Sequence, residues 1–397
     1  MATWNLTTAS DVFKTNYLRL SENTYNSANV LLGRVKKSYN FTGSQMNIAI
    51  PLSFQGGVGS GSLPTAGVAD YDQAVISAKK VYSVVLIDRE AIKASANDQG
   101  AFVRGLKEVV KKGVESYMRN ASRILFGNGD GSLGVVDSAS GTNPYVLTIA
   151  SGYNEANFEE NDIVNIETGN TDPFNVDTVA PQTDGTLDVT VTRNSGSQAP
   201  ASTDEVFMQN SEDNDPNGLE QVTDATSSTL YSVTVGRRWR STQIDAASGG
   251  LTVDLMNEAM LEIERKSGKT PNLIVCSYTQ FKKILDLSED QKEYNIPPRY
   301  GSDKMKASLS FSGVQFMSSR GAIGVFPERF CPPDRVYFLN DNYIEVFHRP
   351  DFGWFDDDGT VFLREASADS YSARYGGYYQ NYIPPVFHGR IDALATS

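Results

Sequence analysis

Between Asp98 and Phe126, apolar residues recur at steps of three and four: Phe102, Val103, Leu106, Val109, Val110, Val114, Tyr117, Ala121, Ile124 and Leu125. That spacing draws a single apolar stripe along a helix. The other faces carry Arg104, Lys107, Glu108, Lys111, Lys112, Glu115, Arg119 and Arg123, with Glu108–Lys112 and Glu115–Arg119 in the favourable i,i+4 orientation. Asn97 or Asp98 suits the N-cap, and Gly127-Asn128-Gly129-Asp130-Gly131 stops the helix. At ~1.5 Å per residue the helix would be about 40 Å long. Only one other helix seed of any length is convincing. The chain must therefore be organised on one long helix with β-rich segments on either side.

The rest of the composition narrows the function. With 397 residues, 40% hydrophobic and 10% aromatic, the chain has material for a real core in two or three domains. No run of about eighteen apolar residues exists, so no membrane span is expected. The start, Met1-Ala2-Thr3-Trp4-Asn5-Leu6, lacks the basic and apolar regions of a signal peptide, which places the expected site of synthesis and assembly in a cytosol. Two cysteines fit a reducing compartment. Cys276 sits in the apolar run Leu273–Cys276 as a small hydrophobe, and nothing positive supports a disulfide to Cys331. With His348 and His388 the only histidines, neither a His/Cys metal cage nor a Cys–His catalytic pair has raw material. No Ser/His/Asp set or nucleophile elbow is present, so no enzyme, cofactor or metal is expected. A net charge of −13 argues against the chain as a whole gripping nucleic acid.

Along the chain, residues 1–44 read as a polar arm with one short helical piece, too poor in apolar side chains to bury a core. Gln45–Phe54 alternates like a strand, Gln55–Ser62 is a glycine-rich tip, and an extended segment returns around Gln73–Ser83. This is a long hairpin, and an isolated hairpin needs a partner surface. Val84–Ile87 reads as a buried strand and Asp88–Ala94 as a short helix before the long one. From Tyr145 to Asn210 the chain is rich in Thr, Asp, Asn and Val, with strands at Tyr145–Ile149, Ile163–Glu167 and Leu187–Thr192, which predicts a small barrel or sandwich inserted in the chain. Mixed α/β pattern then resumes: a helix over Leu251–Lys266, a strand at Leu273–Cys276, and a capping box at Ser277–Gln280 opening a helix to Leu287. Strands follow at Val314–Met317, Ala322–Phe326 and Arg335–Leu339, and a strand-rich end runs from Tyr343.

Three acidic or glycine-rich motifs have plainer readings than their chemical ones. Asp213–Gly218, with Asp224 at the twelfth position, partly matches a calcium loop, but Pro216 intrudes and no helix precedes it, so a linker of Asx turns is expected. Asp356-Asp357-Asp358-Gly359 lies between Gly353-Trp354-Phe355 and Thr360-Val361-Phe362 and reads as a hairpin turn. Gly127–Gly134 follows a helix instead of a strand and lacks a Gly-Lys-Ser/Thr ending, so it is a helix stop and not a phosphate loop. Two features point to partners. Arg237-Arg238-Trp239-Arg240 has the residue types favoured at protein interfaces. The long helix's basic face, with Arg104, Lys107, Lys111, Lys112, Arg119 and Arg123, suggests an acidic partner outside the chain.

The order of these parts resembles the major capsid proteins of tailed double-stranded DNA bacteriophages. The resemblance is carried by the stretch Ile124 to Val135 that leaves the long helix, by Gly218-Leu219 through Gly236-Arg237, and by Phe352-Gly353-Trp354-Phe355 to His388-Gly389-Arg390-Ile391. It implies an α+β fold of the Hong Kong ninety-seven type. Its expected parts are an N-terminal arm (1–44), an E-loop hairpin (45–80), a peripheral domain with the spine helix (81–137), an inserted β-rich domain (138–215), an axial domain (216–342) and strands returning to the peripheral domain (343–397). It further implies pentamers and hexamers closing into an icosahedral head around DNA, without sequence-specific binding to it. A separate scaffolding protein and a portal would be partners, as would a decoration protein. The expected contacts between subunits are the hairpin-tip glycines Gly56, Gly57, Gly59 and Gly61 and the cluster Arg237, Arg238, Trp239 and Arg240. Lys79 and Lys80 lie at the hairpin base, so the covalent cross-link of some relatives is not carried over. An encapsulin-like compartment is the alternative within the same fold, and a virion decoration or tail module the alternative outside it.

Overall fold

The long helix spans Gln99–Phe126 in the computed structural model, and its C-terminal half lies at the meeting point of two sheets. The structure describes residues 30–38, 41, 43–53, 70–89, 99–289, 314–318, 321–349, 353–356, 361–365 and 368–396, with the long helix's side chains described from residue 111 onward. The apolar stripe is buried as its period requires: Val114, Tyr117, Met118, Ala121, Ile124 and Leu125 all face the interior.

One face of the helix packs on a first sheet built along the 13-residue strand Ser370–Tyr382. Lys79–Asp88 pairs with one edge of that strand. Glu345–His348, Gly353–Trp354 and Leu363–Arg364 pair in succession along its other edge, and Lys36–Ser38 adds in parallel beyond Glu345–His348. Tyr117 meets Tyr375 edge-on at 5.1 Å between ring centres, and Trp354 meets the same ring at 5.1 Å, so aromatic rings fill the space between helix and sheet.

The helix ends against a second sheet, of order Thr242–Asp245, Gly389–Asp392, Val336–Leu339, Leu273–Cys276, Gly321–Pro327 and Val314–Ser318. Its central strands, Leu273–Cys276 and Val336–Leu339, are apolar at every position because both faces are covered. Leu273, Val275, Tyr337 and Leu339 join the core of the long helix. Ile274, Cys276, Val336 and Phe338 join Met256, Ala259, Met260 and Ile263 of the helix Val253–Ser267. That helix starts where Thr252 Oγ1 accepts the Leu255 N–H at 3.2 Å.

Between the long helix and the second sheet the chain makes a closed six-stranded barrel, Ser132–Gly141, Tyr145–Ile149, Leu187–Arg193, Phe174–Pro181, Ile163–Ile166 and Glu205–Met208 in spatial order. It has its own core, including Leu133, Leu147, Ile149, Phe174, Val189, Val191 and Val206. Entry and exit chains run side by side, with the Asp213 N–H donating to Asp130 O at 2.7 Å. Gly131, at φ +87°, lies so close to the Ser211 backbone that a Cβ would press into it. Gly218 likewise abuts the carbonyls of Ile124 and Gly127 at the helix end.

Several sequence expectations change. Val84–Ile87 is not a buried run: the strand Lys79–Asp88 alternates, and Val84 and Leu86 are each 63% exposed. Asp88 ends this strand, and the rest of the short helix expected after it lies outside the described residues. The barrel begins at Ser132, before the 138 boundary, because its first strand follows the helix stop directly. Gly353–Trp354 and Leu363–Arg364 both pair with Ser370–Tyr382 and not with each other, so the flanks of Asp356–Gly359 do not form a hairpin of their own. Gly389–Asp392 joins the second sheet, so the chain end does not return wholly to the first. The hairpin Gln45–Ser53 with Asp70–Ser77 is rooted in its own subunit: Ile50, Ala74 and Ile76 are buried, and the Val75 N–H donates to Tyr231 O at 2.9 Å. Its tip, with Gly56, Gly57, Gly59 and Gly61, and the arm before Val30 lie outside the described residues.

Candidate functional site

The basic face of the long helix finds much of its partner inside the chain. Arg119 Nη2 donates to both carboxylate oxygens of Asp162 of the barrel, at 2.8 and 2.9 Å, and Nη1 pairs with Glu159. Arg123 is buried and pairs with Asp215 at 3.1 Å, while Asp215 also accepts the Ser211 hydroxyl. These bonds tie the last turns of the helix to the barrel and to its exit chain. The expected acidic partner outside the chain is thereby corrected for both arginines, because long-range folding brings acids that sequence spacing could not reveal. Glu115 pairs with Lys111 at 3.6 Å in place of Arg119. Lys112 is exposed, and the side chains of Arg104 and Lys107 lie outside the described residues.

The cluster at 237–240 divides. Trp239 is a core residue whose indole N–H donates to Leu230 O at 3.4 Å, so it is no surface contact. Arg237, Arg238 and Arg240 stand exposed around it on a turn of 3-10 helix, Arg237–Trp239, and the strand of chain that follows.

A surface that sequence reasoning missed is the uncovered face of the first sheet. Residues directly opposite across a ladder share a face. The pairs Lys80–Tyr378, Tyr82–Gly376, Val84–Arg374, Leu86–Ser372 and Leu363–Ser372 therefore place Tyr82, Val84, Leu86 and Leu363 together, opposite the long helix. All four are exposed large hydrophobics. Phe355 and Tyr378 join them through ring contacts to Tyr82 at 5.7 and 6.2 Å, and Arg349 lies 5.6 Å over Tyr378. The signal available in the sequence was an apolar run, Val84–Ile87, which looks the same whether a strand is buried on two faces or presents one of them.

Titratable groups in the interior are structural. Burial holds His388 neutral, with its pKa lowered to about 3, and its Nδ1 accepts the Asn340 N–H at 3.3 Å. Burial also lowers His348, whose Nδ1 lies 3.0 Å from Arg349 O. A cleft of about 690 Å³ separates the barrel from the second sheet, with Tyr153, Phe158, Tyr278 and Glu328 among its walls. Burial raises Glu328, which accepts the Leu31 N–H at 2.7 Å and so closes the start of the short helix Val30–Arg34. Asn154 spans the cleft's edge with bonds to Arg329 O and Cys331 O at 2.6 and 2.9 Å. Cys276 and Cys331 are both buried free thiols. The acids of the calcium-like stretch do not act together: Asp215 pairs with Arg123 and Asp224 accepts from Thr226, while Asp213 is tied through its backbone, whose N–H donates to Asp130 O. Among the described residues no three metal-ligating side chains gather.

Residues 157–350 match the model of the SU10 major capsid protein family. The whole fold is similar to a solved cyanophage A-1(L) capsid asymmetric unit, with a TM-score of 0.56 and 12% identity, covering 94% of this chain and 93% of that one. Over residues 157–350 the chain is similar to that capsid family, and its fold is that of the solved phage capsid. Other solved structures resemble this chain at lower scores. Mycobacterium phage Bobi gives a TM-score of 0.42 at 10% identity, covering 92% of this chain and 90% of that one. An encapsulin complex from Synechococcus elongatus gives 0.46 at 10% identity, covering 91% and 86%. No curated protein sequence matches. The uncovered sheet face and the exposed arginines are described surfaces left open to another molecule. No described helix is long and apolar enough to cross a membrane.

Proposed function

We propose that this chain is a major capsid protein of the tailed-phage type that forms rings of five and six copies, which close into an icosahedral head around packaged double-stranded DNA. The observation that carries the proposal is the uncovered face of the first sheet, where Tyr82, Val84, Leu86 and Leu363 leave an apolar row in water. A contiguous exposed apolar patch on a folded chain marks a contact with another molecule. In a chain that assembles with itself, a second copy supplies that cover. The glycine-rich hairpin tip, with Gly56, Gly57, Gly59 and Gly61, reaches a neighbouring copy while the hairpin root stays anchored at Ile50, Ala74 and Ile76 of its own. A separate scaffolding protein and a portal direct closure in the host cytoplasm, and the barrel's outer surface is the place for a decoration protein. DNA is enclosed without sequence-specific contacts, in keeping with a net charge of −13.

Electron microscopy of the purified full chain tests this. Closed shells or five- and six-membered rings are expected, and a monomer that persists at high concentration overturns the proposal. Shells that assemble in the virus's own host and protect DNA from nuclease distinguish a viral head from an enzyme-filled compartment.

A further inference from the structure

The negative charge of this protein is not spread over it. From Ser132 to Met208, the barrel holds twelve Asp and Glu against one basic residue, Arg193, so it carries −11 of the chain's −13 and leaves −2 for all the rest. Arg193 does little to neutralise the barrel's outside. Its guanidinium donates to Tyr145 Oη at 3.3 Å and to Gln198 O, and it is only partly exposed. Among the described residues, Arg119 is the one basic side chain that reaches the barrel's acids by ion pairing, and it takes Glu159 and Asp162. Asp137, Glu155, Glu160, Glu167, Asp177 and Asp184 stay exposed.

The opposite charge is gathered elsewhere on the same chain. Arg237, Arg238 and Arg240 are exposed, and no carboxylate among the described residues pairs with them. Trp239, buried between them, fixes the turn in place, so the three guanidinium groups sit on a rigid mount. The last turn of the helix Val253–Ser267 adds Arg265 and Lys266 alongside, both paired with Glu262. Lys266 donates to Ser241 O at 3.0 Å, next to Arg240. Its pKa is lowered by burial in the first place, and Arg265 and Arg240 also lower it against the pull of Glu262.

We infer that the arginine turn Arg237–Arg240 of one copy docks on the acidic barrel of a neighbouring copy. This rests on the self-assembly proposed above and names one of its contacts. The partner is a second copy because the chain itself carries the complementary surface, on a different module from the arginines. A contact between two unlike surfaces of identical chains is head-to-tail, and repetition of such a contact closes a ring when the rotation between copies divides a full turn. Complementary charge of this kind fixes register and speeds encounter, and added salt weakens it.

The test is assembly of the full chain, followed by sedimentation and electron microscopy. The variant R237E/R238E is expected to melt as the wild type does and to give at least tenfold fewer shells. Wild-type shell yield should also fall as sodium chloride rises from 0.1 M to 1 M, more steeply than that of the variant. Wild-type yield from R237E/R238E overturns the inference. So does a variant whose shells are intact but hold less DNA, which would turn the arginines toward nucleic acid. Arg238→Lys provides a readout that does not depend on losing assembly. In shells mixed from isotopically labelled and unlabelled copies, a carbodiimide should couple the new amine to a barrel carboxylate of another copy. Coupling only within one copy, or only to acids outside the barrel, overturns the inference. If the wild-type chain forms no shells at all, the assembly proposal itself has failed, which is a distinct outcome.

Discussion

His388 shows how one buried side chain sets the response to acid. Its folded pKa of about 3 lies below the ordinary 6.5, so the unfolded chain binds more protons throughout that interval. The stability this neutral ring contributes is complete above pH 6.5 and is lost as pH falls toward 3. At pH 5 the loss is about 2 kcal/mol. Thermal melts from pH 8 to pH 5 should therefore show a steeper fall for the wild type than for His388→Asn, which keeps an acceptor for the Asn340 N–H. Equal slopes would place the acid sensitivity elsewhere. Arg123 makes the second residue-scale case. Arg123→Met strands Asp215 in a buried site and should cost about 3–5 kcal/mol in denaturant unfolding. Adding Asp215→Leu should recover much of it, because the uncompensated charge is then gone. The helix's lysines and arginines were readable from their period, but their partners were not. Glu159, Asp162 and Asp215 are tens of residues away, and no local rule pairs them with Arg119 and Arg123.

At the scale of elements, the legible ones were those with strong local periodicity or strong punctuation. The long helix, the strands Tyr145–Ile149 and Leu273–Cys276, and the helix stop after Phe126 follow from spacing and glycine. The strands Phe174–Pro181 and Glu205–Met208 were not picked out, the first because its Asn, Asp and Pro suit turns as well as a barrel wall, the second because four residues are too few to show a period. The capping box at Ser277–Gln280 is half realised. Ser277 Oγ accepts the Gln280 N–H at 3.2 Å, but the Gln280 side chain donates to Pro333 O and Ala395 O, bonds that only the folded chain offers. The junction between helix and barrel depends on close backbone approach. Gly218→Ala would push a methyl group into the carbonyls of Ile124 and Gly127 and should destabilise the chain by about 1–3 kcal/mol. A calorimetric melt unchanged by this substitution would mean that the exit chain has room to shift.

For the whole molecule, the question is which surfaces stay wet. Val84 and Leu86 lie largely in water in a single copy, so Val84→Lys with Leu86→Glu should shift the stability of the isolated chain by no more than about 1 kcal/mol. Shell yield, measured by sedimentation, should fall at least tenfold if a neighbour covers this face. Unaltered yield would show that the face stays exposed in the shell. The sequence by itself determined the long helix, the β-rich character of the chain on both sides of it and the poverty of catalytic residue types, because each depends on period or composition alone. It also determined that the chain after the helix would turn sharply at Gly127–Gly131. Tertiary structure decided which faces are covered and which charges are spent. Folding brought Arg119 and Arg123 to acids of the barrel and its exit chain, drew Trp239 into the core while leaving three arginines outside, and covered only one face of the strand Lys79–Asp88. Each of these outcomes depends on which distant segment arrives next to a side chain, and that is a property of the packed chain and not of its local spacing.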